Sequence, residues 1–339
     1  MRNLSTMSSE SSPSQEWKEE EKMADPLTEI KGVGDVTADK LRKAGFTTIV
    51  ALAVTPIREI MERTGLEYKS VLNLVQRARE MINVKFMTGQ ELWEKRRKML
   101  RCTTGSAKLD AILGGGIETQ AMTELIGEYG AGKTQLCLTL CVTAQQPKEN
   151  GGLEGAVLFM DSEGTFSPDR VYRIAEARGL DPQQVLSNII IARVYTSDHQ
   201  VFIGDNLYRV CPKEGVKLVI VDSIISHFRG EYVGREHLAE RQQKLNKHLH
   251  SLIRLAEAYN LAVVVTNQVQ ANPAQYWGGS PDRPAGGHVM AHACTHRIMI
   301  HKSRKNTRKA RVIDSPYLPE VEAKFAITEK GIEDAPDVD

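Results

Sequence analysis

The stretch MTELIGEYGAGKTQLCLTLCVTA, residues 122–144, decides the fold. Its centre, GEYGAGKT at 127–134, matches the spacing G-x-x-x-x-G-K-[ST]. The apolar run 122–126 predicts a strand and 135–144 predicts a helix, the flanks that this spacing requires. A loop so placed turns successive backbone N–H groups toward one point where a helix begins, and that point cradles a polyphosphate. Gly127, Glu128, Tyr129, Gly130, Ala131, Gly132, Lys133, Thr134 and the following Gln135 are therefore the candidate contacts for a nucleoside triphosphate. Lys133 is expected to reach the β/γ-phosphates and to serve catalysis there, while Thr134 offers its hydroxyl to Mg²⁺. A chance Gly-rich turn is the alternative, and the flanks and the partner residues downstream weigh against it.

Outward from this loop, 156–160, 189–194, 216–221 and 262–266 are short, apolar and rich in β-branched residues, as buried parallel strands are. Between them, 168–178, 199–209 and 236–259 read as helices. Such alternation predicts an α/β fold, a twisted and mostly parallel sheet with helices on both faces. The later runs 297–301, 310–313 and 321–327 predict an antiparallel extension.

Ligands of a parallel sheet sit beyond the carboxyl ends of its strands, and three strands here end in polar residues. LVIVD closes on Asp222, a carboxylate placed to hold Mg²⁺ directly or through water. Capping a helix is its competing role. VLFMD runs into Ser162, Glu163 and Gly164, and Glu163 is the candidate general base that orients the attacking water. Asp161 is its competitor, and a purely structural turn is the alternative. AVVVTNQ brings Asn267 and Gln268 to the same edge, where a neutral amide, both donor and acceptor, reports a γ-phosphate without doing chemistry.

Beyond that amide, 269–287 shows neither helical nor strand period. A structureless loop of that length inside a compact domain is functional or disordered, and a sensor feeding it makes a nucleotide-dependent switch. A second candidate loop, 223–243, combines Arg229, Arg235 and Arg241 with Tyr232, the cations and aromatic that a single-strand track needs. A solvated helix start is the competing reading. His288, His292 and His296 stand four residues apart and could line one helical face, although the following IMIH alternates like a strand. No Cys or carboxylate completes a metal set, and contact of His292 with a phosphate is the preferred role.

At 339 residues, 41% of them hydrophobic, the chain has room for two domains and a tail. Lys+Arg 44 against Asp+Glu 43 leaves +1, so any nucleic-acid site is a local patch rather than a global field. The five cysteines, Cys102, Cys137, Cys141, Cys211 and Cys294, contain no C-x-x-C, which fits a reducing compartment and not a disulfide framework. No apolar run has the length of a membrane span and the N-terminus is too polar for a signal peptide, so a soluble intracellular protein is expected.

Residues 1–24 read as a disordered tail. Residues 25–83 predict a small all-α domain whose segment 27–54 resembles a helix-hairpin-helix, with the G-V-G turn of Gly32 and Gly34 allowing close approach of backbone to a DNA phosphate. A weaker second unit runs over 64–81, and a packing-only helical domain is the alternative. Residues 84–101 form a linker with a basic cluster, Lys95, Arg96, Arg97, Lys98 and Arg101. Phe86 and Leu92 have no core of their own there, which points to docking on another surface. From 102 to 339 runs the α/β core, with a second basic run, Lys302, Arg304, Lys305, Arg308, Lys309 and Arg311, read equally as duplex capture or as a solvated hairpin.

Across residues 25–333 the chain resembles the archaeal RadA branch of the RecA superfamily, the strand-exchange recombinases. The resemblance rests on TTGSAKLDAILGGGIETQAMTELIGEYGAGKTQ (103–135), FMDSEGTF (159–166), LVIVDS (218–223), TNQVQANP (266–273), GGHVMAH (286–292) and DSPYLPE (314–320), in this order behind the helical front end. It implies a RecA-like ATPase core that uses ATP and Mg²⁺, forms filaments on single-stranded DNA and exchanges strands with homologous double-stranded DNA. It also implies self-assembly as a helical filament or ring, recombination mediators as further partners, and a cytoplasmic, nucleoid-associated location, or a nuclear one in a eukaryotic relative.

By the same resemblance Arg170 stacks on adenine, while His292 and residues 314–320 complete the ATP site of the adjacent protomer. The segment with Arg229, Tyr232, Arg235 and Arg241, and the loop ending at Gly286 and Gly287, correspond to the two DNA-binding loops. One departure concerns polymerisation. The family pattern F-x-x-A here reads Phe86-Met87-Thr88-Gly89, and the missing methyl removes about 1 kcal/mol from each contact. Pro273 stands where the family varies, so the residue that wedges between bases stays open. Two rivals remain, a non-exchanging accessory paralogue and a ring-shaped motor or switch on the same core. The complete set of chemistry residues weighs against the first, and the polymerisation linker with GGHVMAH against the second.

Overall fold

Gly45, Pro56 and Gly65 break the front end into short helices: α1 (Asp35–Lys43), α2 (Ile49–Val54), α3 (Ile57–Thr64) and α4 (Tyr68–Met81). This is a computed structural model, and it describes residues 27–82, 88–270 and 283–336, with backbone alone at Gln270 and Arg283. The chain divides near residue 84 into two compact units. In the first, Ile30, Leu41, Phe46, Leu52, Ile60 and Val75 are buried together as a small core. Gly32 is left-handed, φ 85°, and a Cβ there would meet Arg77 Nη1 at 2.4 Å. Arg77 donates to the Lys31 carbonyl and so pins the turn. Gly34 is the N-cap of α1, and nothing lies within 4 Å of where its Cβ would stand. The expected helix ahead of this turn is only a turn over 27–30 among the described residues. A second hairpin does form, α3 turning into α4 at the left-handed Gly65.

In the second unit, α5 (Gly89–Arg97) begins at a capping box of Thr88 and Glu91. A two-stranded antiparallel sheet, β1 (Arg101–Cys102) with β2 (Ile117–Glu118), flanks α6 (Ala107–Ile112). The main fold then follows as β3 (Met122–Gly127), α7 (Lys133–Thr143), β4 (Ala156–Asp161), α8 (Pro168–Ala177), α9 (Pro182–Ser187), β5 (Ile189–Arg193), α10 (Ser197–Lys213) and β6 (Val216–Asp222). It continues with α11 (Ser226–Glu231), α12 (Leu238–Tyr259), β7 (Ala262–Gln270), β8 (Arg283–Pro284), α13 (Gly287–Ala293), β9 (His296–Lys302), β10 (Thr307–Asp314), β11 (Glu322–Thr328) and β12 (Gly331–Asp334).

The large sheet runs β12-β11-β10-β9-β3-β7-β6-β4-β5, with β8 paired to β7. From β9 to β5 every pairing is parallel, and β10 to β12 extend it antiparallel. All six residues of β3 are buried, as a central strand between helical layers requires. Helix α7 is buried on every side from Leu136 to Thr143, Thr139 and Thr143 included, so it lies inside the core rather than on it. All five cysteines are free and buried, and burial pushes the thiols of Cys102 and Cys211 up to about 12, which leaves them unreactive.

Three sequence expectations need correction. The helix expected over 236–259 starts at Leu238, and a separate short helix, α11, precedes it. The strand 262–266 runs on to Gln270, where Val269 pairs Pro284 and Gln270 pairs Arg283. The two ends of 269–287 are therefore regular, too short for a period but held by this pairing and by α13; residues 271–282, with Pro273, lie outside the described ones. Finally, of the two arrangements open to the three histidines the single helical face is not formed: α13 ends at Ala293 and His296 belongs to β9, as the alternation of IMIH suggests.

Candidate nucleotide site

Parallel β3, β4, β6 and β7 all end at one edge, and a cavity of about 350 Å³ opens there beside the 127–134 loop. Gly130 and Gly132 are left-handed, φ 71° and 108°, which lets the loop wrap before α7 begins. A Cβ at Gly127 would stand 2.4 Å from the Ile300 carbonyl, so β9 fits against the loop only because that position is glycine. The Lys133 ammonium bends back to donate to the Gly127 and Glu128 carbonyls at 2.8 and 2.9 Å. Burial lowers its pKa, opposed by the Asp222 and Glu163 carboxylates.

Asp222 is 2% exposed and accepts hydrogen bonds from Thr134 Oγ1 at 2.7 Å and from the Thr266 hydroxyl. Burial raises its pKa, and these two hydroxyls act against that rise. It is therefore no helix cap; the residues after it enter a cis Asp222–Ser223 peptide instead. Ser162 and Ser223 lock the ends of β4 and β6 together, with Ser223 N–H donating to Ser162 Oγ at 2.7 Å.

Asp161 is fully engaged. Its carboxylate accepts from the N–H groups of Gly164, Thr165 and Phe166 at 2.7, 3.1 and 3.4 Å and pairs with Arg193 at 3.2 Å. It shapes the turn that carries Glu163. The Glu163 carboxyl faces the cavity and holds one amide, Gln268 Nε2 at 3.1 Å. Partial burial raises its pKa, with the Asp222 charge adding to the rise. Gln268 in turn accepts from Arg229 Nη1 at 3.3 Å. Asn267 sits at the same strand end, paired with Ile126, but its side chain does not line the cavity: it is buried, donating to Glu124 Oε1 and the Ala285 carbonyl at 2.6 and 2.7 Å, and Glu124 pairs with Arg297 at 2.6 Å.

Arg170, on the first turn of α8, donates to Gln135 Oε1 at 2.9 Å and to the Thr328 and Glu329 carbonyls. It stands behind Gln135, which lines the cavity. Arg308 lines it as well, donating to the Ala131 carbonyl at 3.0 Å. Sequence reasoning left Arg308 in a basic run. Its signal was only that the run follows β9, the neighbour of β3. Lys309 and Arg311 of the same run pair with Glu322 and Glu320 at 2.6 and 2.9 Å, as a solvated hairpin would.

Other expected residues lie away from this cavity. His292 is exposed on α13, its ring stacked with His288 at 6.1 Å, and neither it nor residues 314–320 line the cavity. His296 is buried against Glu118, Ser315 and Tyr317 at 3.2, 3.1 and 3.1 Å, and no metal-ligating cluster occurs among the described residues. Tyr232 accepts from Lys244 Nζ at 2.9 Å, and that ammonium covers its ring at 5.3 Å. Arg235 is exposed and Arg241 half-buried at the start of α12. Gly286 and Gly287, φ 82° and 59°, open α13. Gly89 is the first residue of α5, and Phe86 lies outside the described residues.

Comparison with known proteins adds two families and a relative. The Rad51 family matches residues 95–335, and the SAM-like helix-hairpin-helix tandem matches 24–80. The DNA repair and recombination protein RadA of Aeropyrum pernix K1 is 48% identical over 308 residues, 91% of this chain and 96% of that protein.

Proposed function

Because the chain belongs to the Rad51 family, we propose that it is a recombinase of DNA repair and recombination, a DNA-dependent ATPase that assembles on single-stranded DNA and exchanges strands. The observation that carries this reading is that the hydrogen-bonded pairs Glu163–Gln268 and Thr134–Asp222 line one cavity beside the loop. Oxygen donors already 2.7 Å apart at the foot of the phosphate loop suit Mg²⁺, which when bound neutralises the β/γ-phosphate oxygens. Thr134 and Asp222 are the residues that would hold it. Lys133 turns from its two carbonyls to the phosphates, the loop N–H groups cradle them, and Glu163 takes the proton of the attacking water. A raised Glu163 pKa brings that base nearer its working pH.

Arg229, Tyr232, Arg235 and Arg241, with Gly286 and Gly287, are the proposed track for the single strand, and Gly32 and Gly34 a backbone contact of the first unit. Support for self-assembly comes from β5, an edge strand with Ile191 42% exposed and followed in the chain by the exposed Tyr195. An apolar edge of this kind takes an added strand or a docking aromatic such as Phe86. Turnover of ATP measured with and without single-stranded DNA, together with a strand-exchange assay, tests the reading. DNA-stimulated turnover with exchanged product is expected, and turnover indifferent to DNA would favour an accessory protein or a motor.

A further inference from the structure

The sensor amide joins two side chains that the function above keeps apart. Gln268 Nε2 donates to Glu163 Oε1 at 3.1 Å while Gln268 Oε1 accepts from Arg229 Nη1 at 3.3 Å. A guanidinium only donates and an ionised carboxylate only accepts, so the two neighbours fix which end of the amide faces which. Arg229 is half-buried on α11, within the segment 223–243 read as a DNA track. Glu163 lines the phosphate cavity. From this chain of bonds we infer that Arg229 is a positioning residue: in the DNA-free protein it latches Glu163 through Gln268, and a DNA phosphate releases the latch by taking the guanidinium. The inference rests on Glu163 as the base and on 223–243 as a DNA loop.

The energetics run in one direction. A carboxylate that accepts a hydrogen bond is less basic, and its bonded lone pair is not free for the proton of water. Latched, Glu163 is a weaker base on both counts. A charged phosphate offers the guanidinium opposite charge and bidentate acceptor geometry, which a single neutral amide oxygen does not, so bound DNA wins the competition for Arg229. Once its carbonyl is released, the amide turns freely and its NH₂ is available to a γ-phosphate, leaving Glu163 unencumbered. DNA at the track is thereby felt at the base, through three side chains and no backbone shift.

The test uses the full chain with Arg229→Ala and Arg229→Lys. Turnover at saturating ATP is measured without DNA and with saturating oligothymidylate, whose occupancy is read by fluorescence anisotropy. Losing the clamp is expected to raise DNA-free turnover of Arg229→Ala about tenfold, the worth of one hydrogen bond, and to leave little further stimulation by bound DNA. The acid limb of its DNA-free pH profile moves to higher pH, since the amide no longer holds the Glu163 proton affinity down. Arg229→Lys keeps one donor, so its DNA-free turnover is expected to rise clearly less than that of Arg229→Ala; an equal rise in both would argue against a donor-held latch. If Arg229→Ala matches the wild type without DNA and regains full stimulation once the oligonucleotide is bound, Arg229 is a simple DNA contact and the latch is wrong. A wild type that shows no DNA-stimulated turnover overturns instead the reading on which the latch rests.

Discussion

Asp161 and Glu163 stand two residues apart, and hydrogen bonding separates their tasks. Asp161 spends its lone pairs on three backbone N–H groups and Arg193, so it has nothing left for a water. Glu163 holds a single amide and faces the cavity. Glu163→Gln is therefore expected to keep ATP affinity and to lose turnover by about 10²-fold or more, measured by nucleotide binding and steady-state hydrolysis side by side. Near-normal hydrolysis would sink the assignment. A second residue-scale prediction concerns His248, on α12. Its ring is fully buried against Phe228 at 6.4 Å, in space that Gly204 leaves open, and neither ring nitrogen has a hydrogen-bond partner among the described residues. Burial pushes its pKa from 6.5 down to about 4. Between those values the unfolded chain binds a proton that the folded chain refuses, so stability drops as pH falls through that window, by up to about 3 kcal/mol. Substituting His248→Phe keeps the stacking, relieves the unpaired nitrogens by about 1 kcal/mol, and removes that part of the acid slope. Denaturant midpoints at pH 7 and pH 5 check both effects; an unchanged slope would show that other groups carry it.

At the scale of elements, what was legible in the sequence followed from how local the signal is. The strand–loop–helix of 122–144, the strands ending at Asp161 and Asp222, and α8 were readable because their apolar runs are continuous and their caps adjacent, as with Ser167 and Pro168 opening α8. The pairing of β8 with β7 was not readable, since two residues carry no period and their partner lies across a long loop. Arg308 was missed for a similar reason. It reaches the phosphate loop from β10, and only the β10-β9-β3 strand order, a long-range fact, brings it there. Glu124 lies inside the run 122–126 read as apolar, and only the fold supplies Arg297 and Asn267 to satisfy its buried carboxylate. Helix α5 gives the element-scale prediction. Thr88 and Glu91 cap it, Gly89 is its first residue, and nothing lies within 4 Å of where a Cβ at Gly89 would stand. Gly89→Ala is thus sterically free, adds helix propensity, and restores the methyl of the docking pattern. Together these favour assembly by about 1 kcal/mol per contact, roughly a fivefold lower protein concentration at the filament midpoint in light scattering. An unchanged midpoint would mean that position 89 stays outside the contact.

For the whole molecule, the question is whether one chain holds a complete site. The net charge of +1 gives no global attraction for DNA, so grip depends on local cations presented in the right state. On the nucleotide side, the loop, Asp222, Glu163 and Gln268 come from one chain, while His292 sits exposed on α13 and residues 314–320 stay clear of the cavity. A phosphate-contacting role for His292 therefore requires a neighbouring copy, arranged head to tail so that one protomer's α13 meets the next one's loop. Such a heterologous contact makes a direct prediction. Glu163→Gln and His292→Ala are each expected to be nearly inactive alone, and each leaves the other's half of the site intact. In filaments assembled from an equal mixture, an interface is whole when the loop side comes from a His292→Ala subunit and the histidine side from a Glu163→Gln subunit. Random assembly meets both conditions at about one interface in four, so the mixture is expected to recover about a quarter of wild-type turnover. Recovery should vanish on dilution below the assembly midpoint, because separate subunits share nothing. If His292 instead serves its own protomer, every subunit in the mixture carries a defective site and no turnover returns at any concentration.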